Sequence, residues 1–156
     1  MCNALDISKY VIFQYWKHGD LITNLKLQKI LYYIQGYSLK RCNEVAFTEA
    51  IYKWPYGPVV PDVYFEYNNF RANTIPEPSD LEMKTVFEKL SEDKATKSVV
   101  DDVIKKSYGF KATQLVEKTH SEDPWKSSKD SSIISPEIIK CYFINHDPLL
   151  VEASVQ

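Results

Sequence analysis

The sequence predicts a mainly α protein: a compact single-domain helical bundle of about six to seven helices with a small β or extended insertion near residues 45–58. Three observations predict this class. Apolar residues recur at helical spacing through most of the 156-residue chain. Helix-capping signals precede several of these stretches. The prolines Pro55, Pro58 and Pro61 exclude a helix interior from 55 to 61.

The first predicted helix covers residues 4–16. Asn3 is a suitable N-cap, and Asp6 lies in the first turn, where a carboxylate interacts favourably with the helix dipole. The apolar residues that recur on one face are Ala4, Ile7, Val11 and Tyr15. Gly19 and Asp20 interrupt the pattern, so the helix should end before them.

The second predicted helix begins near Thr23 or Asn24 and continues to about Arg41. Its apolar face consists of Leu27, Ile30, Leu31, Ile34 and Tyr37. Four basic residues of this helix lie away from the centre of that face and could form a local basic stripe: Lys26, Lys29, Lys40 and Arg41. Gly36 is unusual, because an interior glycine costs about 0.5–1 kcal/mol relative to Ala. We therefore expect another backbone to approach the helix closely there.

The helical period stops at Cys42. The apolar residues that follow suggest two short strands or extended pieces, namely Val45, Phe47, Ile51, Tyr52 and Trp54. Pro61 suits the first position of the next helix, and Asp62 beside it suits the positive end of the helix dipole.

Further helices are predicted from the following capping and apolar patterns. Ser79-x-x-Glu82 is a capping box before residues 83–90, and Ser135-Pro136 opens a last helix as N-cap and first residue. Between them, helical periodicity covers 95–108 and about 112–119. Residues 1–146 are thus expected to form the domain, and 147–156 a loosely held tail.

Composition and charge narrow the functional classes. The net charge of −2 argues against a protein that coats nucleic acid, which needs a concentrated basic face. A helix-turn-helix made by the first two helices, reading DNA through Lys26, Gln28, Lys29 and Gln35, is the corresponding alternative. Core-directed leucines and tyrosines on the second helix argue against nucleic acid as a partner.

No signal peptide or bilayer-spanning run is found in the sequence, so no membrane is expected as a partner. The three cysteines are scattered, as is typical of a reducing compartment, and the expected location is cytoplasmic. With four glycines there is no phosphate-binding loop, and no Cys or His pair has metal-ligand spacing. We therefore expect no cofactor and no metal.

Catalysis has one candidate, His120, which is followed by Glu122 and Asp123. A histidine beside a carboxylate can exchange protons with a substrate. The alternative, which the pattern favours, is that Thr119 and His120 end a short helix while Asp123 and Pro124 form a turn. The expectation is that the chain is not an enzyme.

The segment IYKWPYGPVVPDVY (51–64) offers the best candidate for a protein contact. Its prolines and Gly57 fix the backbone, so that Tyr52, Trp54 and Tyr56 would be presented from a rigid frame. Rigid aromatic side chains lose little entropy on binding. Burial and exposure remain equally open for Trp54, and Gly57-Pro58 is interpreted as routing the chain.

Five blocks in this order resemble a known family: ALDISKYVI (4–12), ITNLKLQKILYYIQGYSL (22–39), FTEAIYKWPYGPVVPDVY (47–64), LVEKTHSEDPW (115–125) and IIKCYF (138–143). Together they are similar to the Panacea domain, the SocA-like antitoxin family that also includes phage-associated GepA-type proteins. The resemblance implies a mainly helical fold and an antitoxin that neutralises a cognate toxin by direct protein contact, either alone or by also handing it to a cytosolic protease or a chaperone. A phage or mobile-element protein that binds and inhibits a host or defence protein is the alternative.

The resemblance also implies which residues matter. The candidate partner-binding residues are Tyr52, which comes from the rigid segment alone, and Trp54, Tyr56, His120 and Trp125, which are also motif positions of the family. The positions interpreted as structural are Asn24, Lys26, Gln28, Gln35, Gly36, Gly57, Pro58 and Pro61. The polar members of this set are equally compatible with a buried hydrogen-bond network that holds the extended segment. The partner toxins of the family have unrelated folds, so the fold does not identify the partner. The oligomeric state is left open.

Overall fold

A computed structural model describes residues 1–150, which form eight α-helices, a short 3₁₀ turn (Asn68–Phe70) and one two-stranded hairpin. The elements are α1 (Ala4–Lys17), α2 (Asn24–Cys42), β1 (Tyr52–Trp54), β2 (Gly57–Val59), α3 (Pro61–Tyr67), α4 (Asp80–Ser91), α5 (Lys94–Ser107), α6 (Ala112–Ser121), α7 (Asp123–Lys126) and α8 (Pro136–Asn145). The predicted mainly helical class with a small β insertion is confirmed.

The predicted helix starts are confirmed in atomic detail. The Asn3 side chain accepts a hydrogen bond from the backbone of Asp6, and Ser79 forms a reciprocal capping box with Glu82. Ser135 caps α8, whose first residue is a proline, and Pro61 likewise opens α3. The first turn of a helix has backbone N–H groups without a partner inside the helix. A capping side chain accepts a hydrogen bond from one of them, and a proline has no N–H that needs a partner.

Helix α2 lies at the centre of the fold, and every residue from Lys26 to Leu39 is buried. Helices α1, α3, α5, α6 and α8 and strand β2 pack around it. A Cβ added at Gly36 would stand less than 3.0 Å from the ring of Phe143 in α8. The prediction of a close approach at Gly36 is therefore correct, but the approaching group is an aromatic side chain and not a backbone.

The hairpin is small but held on both sides. Strand β1 pairs with β2 in antiparallel register, with Tyr52 opposite Val59 and Trp54 opposite Gly57. Its other edge is bonded to the loop before α8, since the Lys53 N–H donates to the Ser132 carbonyl at 2.9 Å. Residues 45–51 are irregular, so the strands occupy only the end of the predicted insertion.

The first residues of the predicted tail contact the helical body. The Tyr37 hydroxyl bonds to the Asp147 carboxylate and accepts the backbone N–H of Leu149, which is buried. The remainder of that prediction, residues 151–156, lies outside the described residues. Across residues 1–150, no helix combines the length and the apolar character that crossing a membrane requires.

Candidate functional site

Polar side chains of α2 hold the extended segment that leads through the hairpin. The Gln28 Oε1 accepts the N–H of Val60 at 2.9 Å, and its Nε2 donates to Asn24 Oδ1 at 2.9 Å. Asn24 in turn donates to the carbonyl of Tyr64 at 3.1 Å. Gln28 and Asn24 thus fix the backbone where the chain passes from β2 into α3.

Gln35 also holds the backbone of the extended segment, about two helical turns further along α2. Its Oε1 accepts the N–H of Ala46 at 2.8 Å, and its Nε2 donates to the carbonyl of Phe47 at 2.9 Å. Because both groups are buried, breaking either bond would leave an unsatisfied backbone atom, at about 1–3 kcal/mol. The expected hydrogen-bond network that holds the extended segment is therefore present, and Asn24, Gln28 and Gln35 are its members.

The basic stripe that the sequence leaves open on α2 does not form, because two of its four members are buried. Lys29 is 0% exposed and Lys26 is 8% exposed, so neither can reach a phosphate or a base edge. Other elements pack around the middle of the helix, so these two lysines have little access to solvent, whereas Lys40 is half-buried and Arg41 exposed at its C-terminal end. The proposed DNA-reading set also includes Gln28 and Gln35. Their side-chain amides already make hydrogen bonds to backbone groups of the protein.

Each buried lysine is accommodated in a different way. The Lys26 ammonium lies 4.9 Å from the ring centroid of Tyr15, a cation–π contact. Lys29 Nζ donates to the carbonyl of Pro58 at 3.1 Å, and burial lowers its pKa to about 7. A Cβ on Gly57 would stand 2.7 Å from Lys29 Cε, so the missing side chain makes room for the lysine. Gly57 also has φ +115, which favours glycine.

His120 and Trp125 support the hairpin from behind. The Trp125 indole N–H donates to the carbonyl of Trp54 at 2.9 Å, and Lys53 Nζ lies 4.2 Å from the Trp125 ring centroid. His120 stacks on Trp125 with centroids 4.1 Å apart. Alternate strand residues face opposite ways, so Trp125 lies on the Lys53 face of β1, away from Tyr52 and Trp54. A partner contact at His120 or Trp125 stays a prediction.

Glu122 is not turned toward His120. Its two carboxylate oxygens accept the hydroxyls of Tyr32 and Tyr33 at 3.0 and 2.9 Å, deep beneath α7. Burial raises the pKa of Glu122 to about 7, although both tyrosine hydrogen bonds oppose the rise. In the described residues, the imidazole Nε2 of His120 is buried without a hydrogen-bond partner. The acid–base pair suggested by the sequence is therefore not assembled here.

Three aromatic rings, those of Trp54, Tyr64 and Phe65, contact one another, and Tyr56 lines the same cleft as Trp54 and Tyr64; the four are here called the aromatic surface. The rings of Trp54 and Tyr64 have centroids 5.0 Å apart, and those of Tyr64 and Phe65 lie 5.5 Å apart. Tyr56 is 70% exposed and Phe65 is 60% exposed, whereas Trp54 and Tyr64 are half-buried. Such large exposed aromatics in one place are typical of interaction sites.

A cleft of about 340 Å³, here called the hairpin cleft, opens beside this surface. Its lining consists of Asn24, Leu25, Gln28, Lys29, Trp54, Pro55, Tyr56, Val59, Tyr64, Asn68, Arg71 and Ala72. The hydrogen bonds from Asn24 and Gln28 and the buried Lys29 make the floor rigid. The cleft is therefore formed in the free protein and does not require a partner to open it.

Of the predicted contact residues, Tyr56 is the most exposed, and Trp54 lines the cleft while packing against its neighbours. Tyr52 is half-buried, and its backbone pairs with Val59 and Ile133. Sequence reasoning missed Phe65 and Arg71. Phe65 had a signal, because it lies about 200° around α3 from the buried Val63 and so points away from the core.

The fold and the site define a mainly helical protein whose buried polar helix presents a small aromatic hairpin and a preformed cleft. The family model described as "Antitoxin SocA-like, Panacea domain" matches residues 27–126, so the chain belongs to this family. The match runs from the first turn of α2 to the end of α7 and contains the hairpin; α1 and α8 lie beyond it and pack against α2. Comparison with curated proteins gave no match, and comparison with solved structures gave none either.

Proposed function

We propose that this protein neutralises a cognate toxin by binding it directly through the aromatic surface and the hairpin cleft. Family membership implies a toxin as the partner. The observation that carries the proposal is the exposure of Tyr56 and Phe65, at 70% and 60%, on a frame held by buried hydrogen bonds. Rigid exposed aromatics bind with little entropic loss, which is what a tight inhibitor needs.

The test is co-expression with the product of the adjacent reading frame. We expect that product to arrest growth alone, to be harmless when the wild-type protein is present, and to co-purify with it as a complex. A product that is not toxic, or that does not co-purify, would contradict the proposal. This experiment identifies the partner as well as the activity.

Surface variants connect the activity to the aromatic surface. Tyr56→Ala and Phe65→Ala should abolish rescue and weaken the complex while melting temperature stays close to wild type, because both side chains are largely exposed. Trp16→Ala is the matched control, since Trp16 is 47% exposed on α1 and takes no part in the aromatic surface. Trp54→Ala is a less clean variant, because Trp54 is half-buried while Phe65 is 60% exposed.

The same strains distinguish inhibition from delivery to a protease. If the protein only blocks the toxin, toxin abundance stays constant during rescue. If it also hands the toxin to a protease, abundance falls in wild-type cells and recovers in a protease-deficient strain. We propose binding as the common step of both routes.

A further inference from the structure

The hairpin cleft combines apolar walls with positive charge. Its lining includes Lys29 and Arg71 and, among the described residues, no aspartate or glutamate. Lys29 lies in the buried floor, whereas Arg71 is exposed at the rim. A ligand for this cleft therefore needs an apolar group for the interior and a negative charge at the edge.

Arg71 is held in a backbone conformation that arginine rarely adopts. It has φ 55 and ψ −123, in the left-handed half of conformational space that favours glycine. The turn is fixed on both sides: the Arg71 N–H donates to the Asn68 carbonyl at 3.0 Å, and the Ile75 N–H donates to the Ile22 carbonyl at 2.8 Å. A glycine would satisfy the backbone better, so the arginine side chain needs a reason beyond the turn itself.

Among the described residues, that side chain has no charged partner. Within residues 1–150 no carboxylate lies within ion-pair distance of the Arg71 guanidinium, whereas Arg41, for example, pairs with Asp102. A guanidinium presents a planar set of donors that matches a carboxylate in two parallel hydrogen bonds. The geometry leaves those donors available at the mouth of the cleft.

The size of the cleft limits what can enter it. At about 340 Å³ it is near the lower end of the range for ligand pockets, enough for one large side chain. Trp54, Tyr56 and Tyr64 supply aromatic faces for that side chain. A carboxylate at the rim would stay partly hydrated, so its pairing with Arg71 would not carry the full cost of burying an ion.

We propose that the hairpin cleft receives a segment of the toxin that inserts one aromatic or long aliphatic side chain and sets the carboxylate of a neighbouring acidic residue against Arg71. This inference rests on the proposed function for the identity of the partner. It specifies the partner's chemistry: an apolar anchor next to an aspartate or glutamate.

The first test needs no toxin. A library of random twelve-residue peptides, displayed with the peptide C-terminus fused to the carrier so that no free terminal carboxylate is offered, is selected on the wild-type protein. We expect the selected peptides to carry an aromatic or long aliphatic residue beside an acidic one, and Arg71→Glu to weaken their binding about tenfold or more. Lys84→Glu, at an exposed lysine on α4, makes the same charge change outside the cleft and should leave binding unchanged.

Several outcomes would overturn the inference. These are the absence of any selected peptide, selected peptides without acidic residues, and equal binding to the wild-type protein and Arg71→Glu. A terminal carboxylate as the true ligand would appear as no binding in this library and as binding in a second library displayed with a free peptide C-terminus. A second copy of this chain as occupant would appear as self-association lost in Tyr56→Ala.

The second test separates binding from backbone strain. Arg71→Gly should raise the melting temperature, because glycine adopts the observed φ without strain, and should weaken peptide and toxin binding about tenfold or more. A higher melting temperature with unchanged binding would give Arg71 no role in recognition. Arg71→Lys, which keeps the charge without the planar donors, should lie between wild type and Arg71→Gly.

Co-expression distinguishes failure of this inference from failure of the proposed function. If the wild-type protein and Arg71→Gly rescue growth equally at limiting expression, the function stands and the inference fails. If the wild-type protein itself does not rescue, the proposed function fails, and the peptide selection alone decides whether the cleft has this specificity.

Discussion

Two buried titratable groups, Glu122 and Lys29, should together destabilise the folded protein most near neutral pH. Burial raises the pKa of Glu122 from 4.5 to about 7 and lowers the pKa of Lys29 from 10.5 to about 7. Between pH 4.5 and 7 the folded state keeps the Glu122 proton that the unfolded state releases, so the free energy of unfolding falls as pH rises. Between pH 7 and 10.5 the unfolded state keeps the Lys29 proton that the folded state has released, so the free energy of unfolding rises again.

The magnitudes are large enough to measure. A pKa change of one unit corresponds to 1.36 kcal/mol, so Glu122 contributes a fall of about 3 kcal/mol and Lys29 a rise of about 5 kcal/mol over these two ranges. Other groups titrate too, so the quantity to compare is the difference between wild type and variant at each pH. Lys118 and His146 are the charged groups that oppose the rise in the pKa of Glu122.

The assay is denaturant unfolding from pH 4.5 to 10 for the wild type, Glu122→Gln and Lys29→Met. Glutamine keeps an oxygen that can accept from Tyr32 or Tyr33 but does not ionise, so Glu122→Gln should remove the fall below pH 7. Methionine keeps an unbranched chain without the charge, so Lys29→Met should remove the rise above pH 7.

Each variant is the control for the other. Glu122→Gln should leave the rise of the free energy of unfolding above pH 7 unchanged. Lys29→Met should leave its fall below pH 7 unchanged. The reasoning would be refuted if the curve of either variant ran parallel to that of the wild type. Parallel curves would mean that the group titrates alike in the folded and the unfolded states, and that its burial has no electrostatic consequence.

Three further predictions concern the frame, each checked by thermal and denaturant unfolding. Gly36→Ala should destabilise by about 1–3 kcal/mol despite the higher helix propensity of alanine, because the new Cβ meets the ring of Phe143; Phe143→Leu in the same chain should recover part of the loss, and no recovery would contradict the clash. Gly57→Ala should destabilise by about 1 kcal/mol or more, because its φ is +115 and its Cβ has no room; a neutral effect would mean that the turn can relax. Gln28→Leu should cost about 1–3 kcal/mol by leaving the N–H of Val60 unsatisfied, and retained stability would mean that water replaces the glutamine.

Local signals in the sequence were sufficient to predict most of the helices. The caps at Asn3, Ser79 and Ser135 act within one helical turn, so their partners are three residues away and visible in the sequence. Pro61 is similar, because its fixed φ and missing N–H suit only the first turn of a helix. These features depend on short-range geometry, and the fold class follows from them.

The environment of α2 could not be predicted in the same way. Gln28 and Gln35 bond to backbone atoms 32 and 12 residues away, and no local period reveals such partners. Lys29 is the extreme case: its charge argued for exposure, yet the hairpin closes over it and offers the Pro58 carbonyl. The resemblance to known sequences suggested a buried polar network, but only the fold could say which backbone groups it holds.

The residues of the candidate site also divide into those that local sequence signals predict and those that only distant contacts determine. The sequence predicts Tyr56 as a contact residue because a rigid turn presents it, and Tyr56 is 70% exposed in the structure. Phe65 had a weak signal in the helical period of α3. Arg71 had none, because its backbone angle and its place at the cleft rim arise from the packing of the turn after α3 against α1–α2 loop residues such as Ile22.

This division between frame and rim accounts for how one fold could serve different partners. The quoted family motif includes the buried Asn24, Gln28 and Gln35, which fix the path of the chain and cannot change without breaking backbone hydrogen bonds. Phe65 and Arg71 lie outside that motif, are exposed, and make no hydrogen bond from their side chains within the described residues. Substitution there costs little stability but changes the shape and charge that a partner meets. The chain thus combines a frame fixed by buried polar hydrogen bonds with a rim whose side chains can change without breaking that frame.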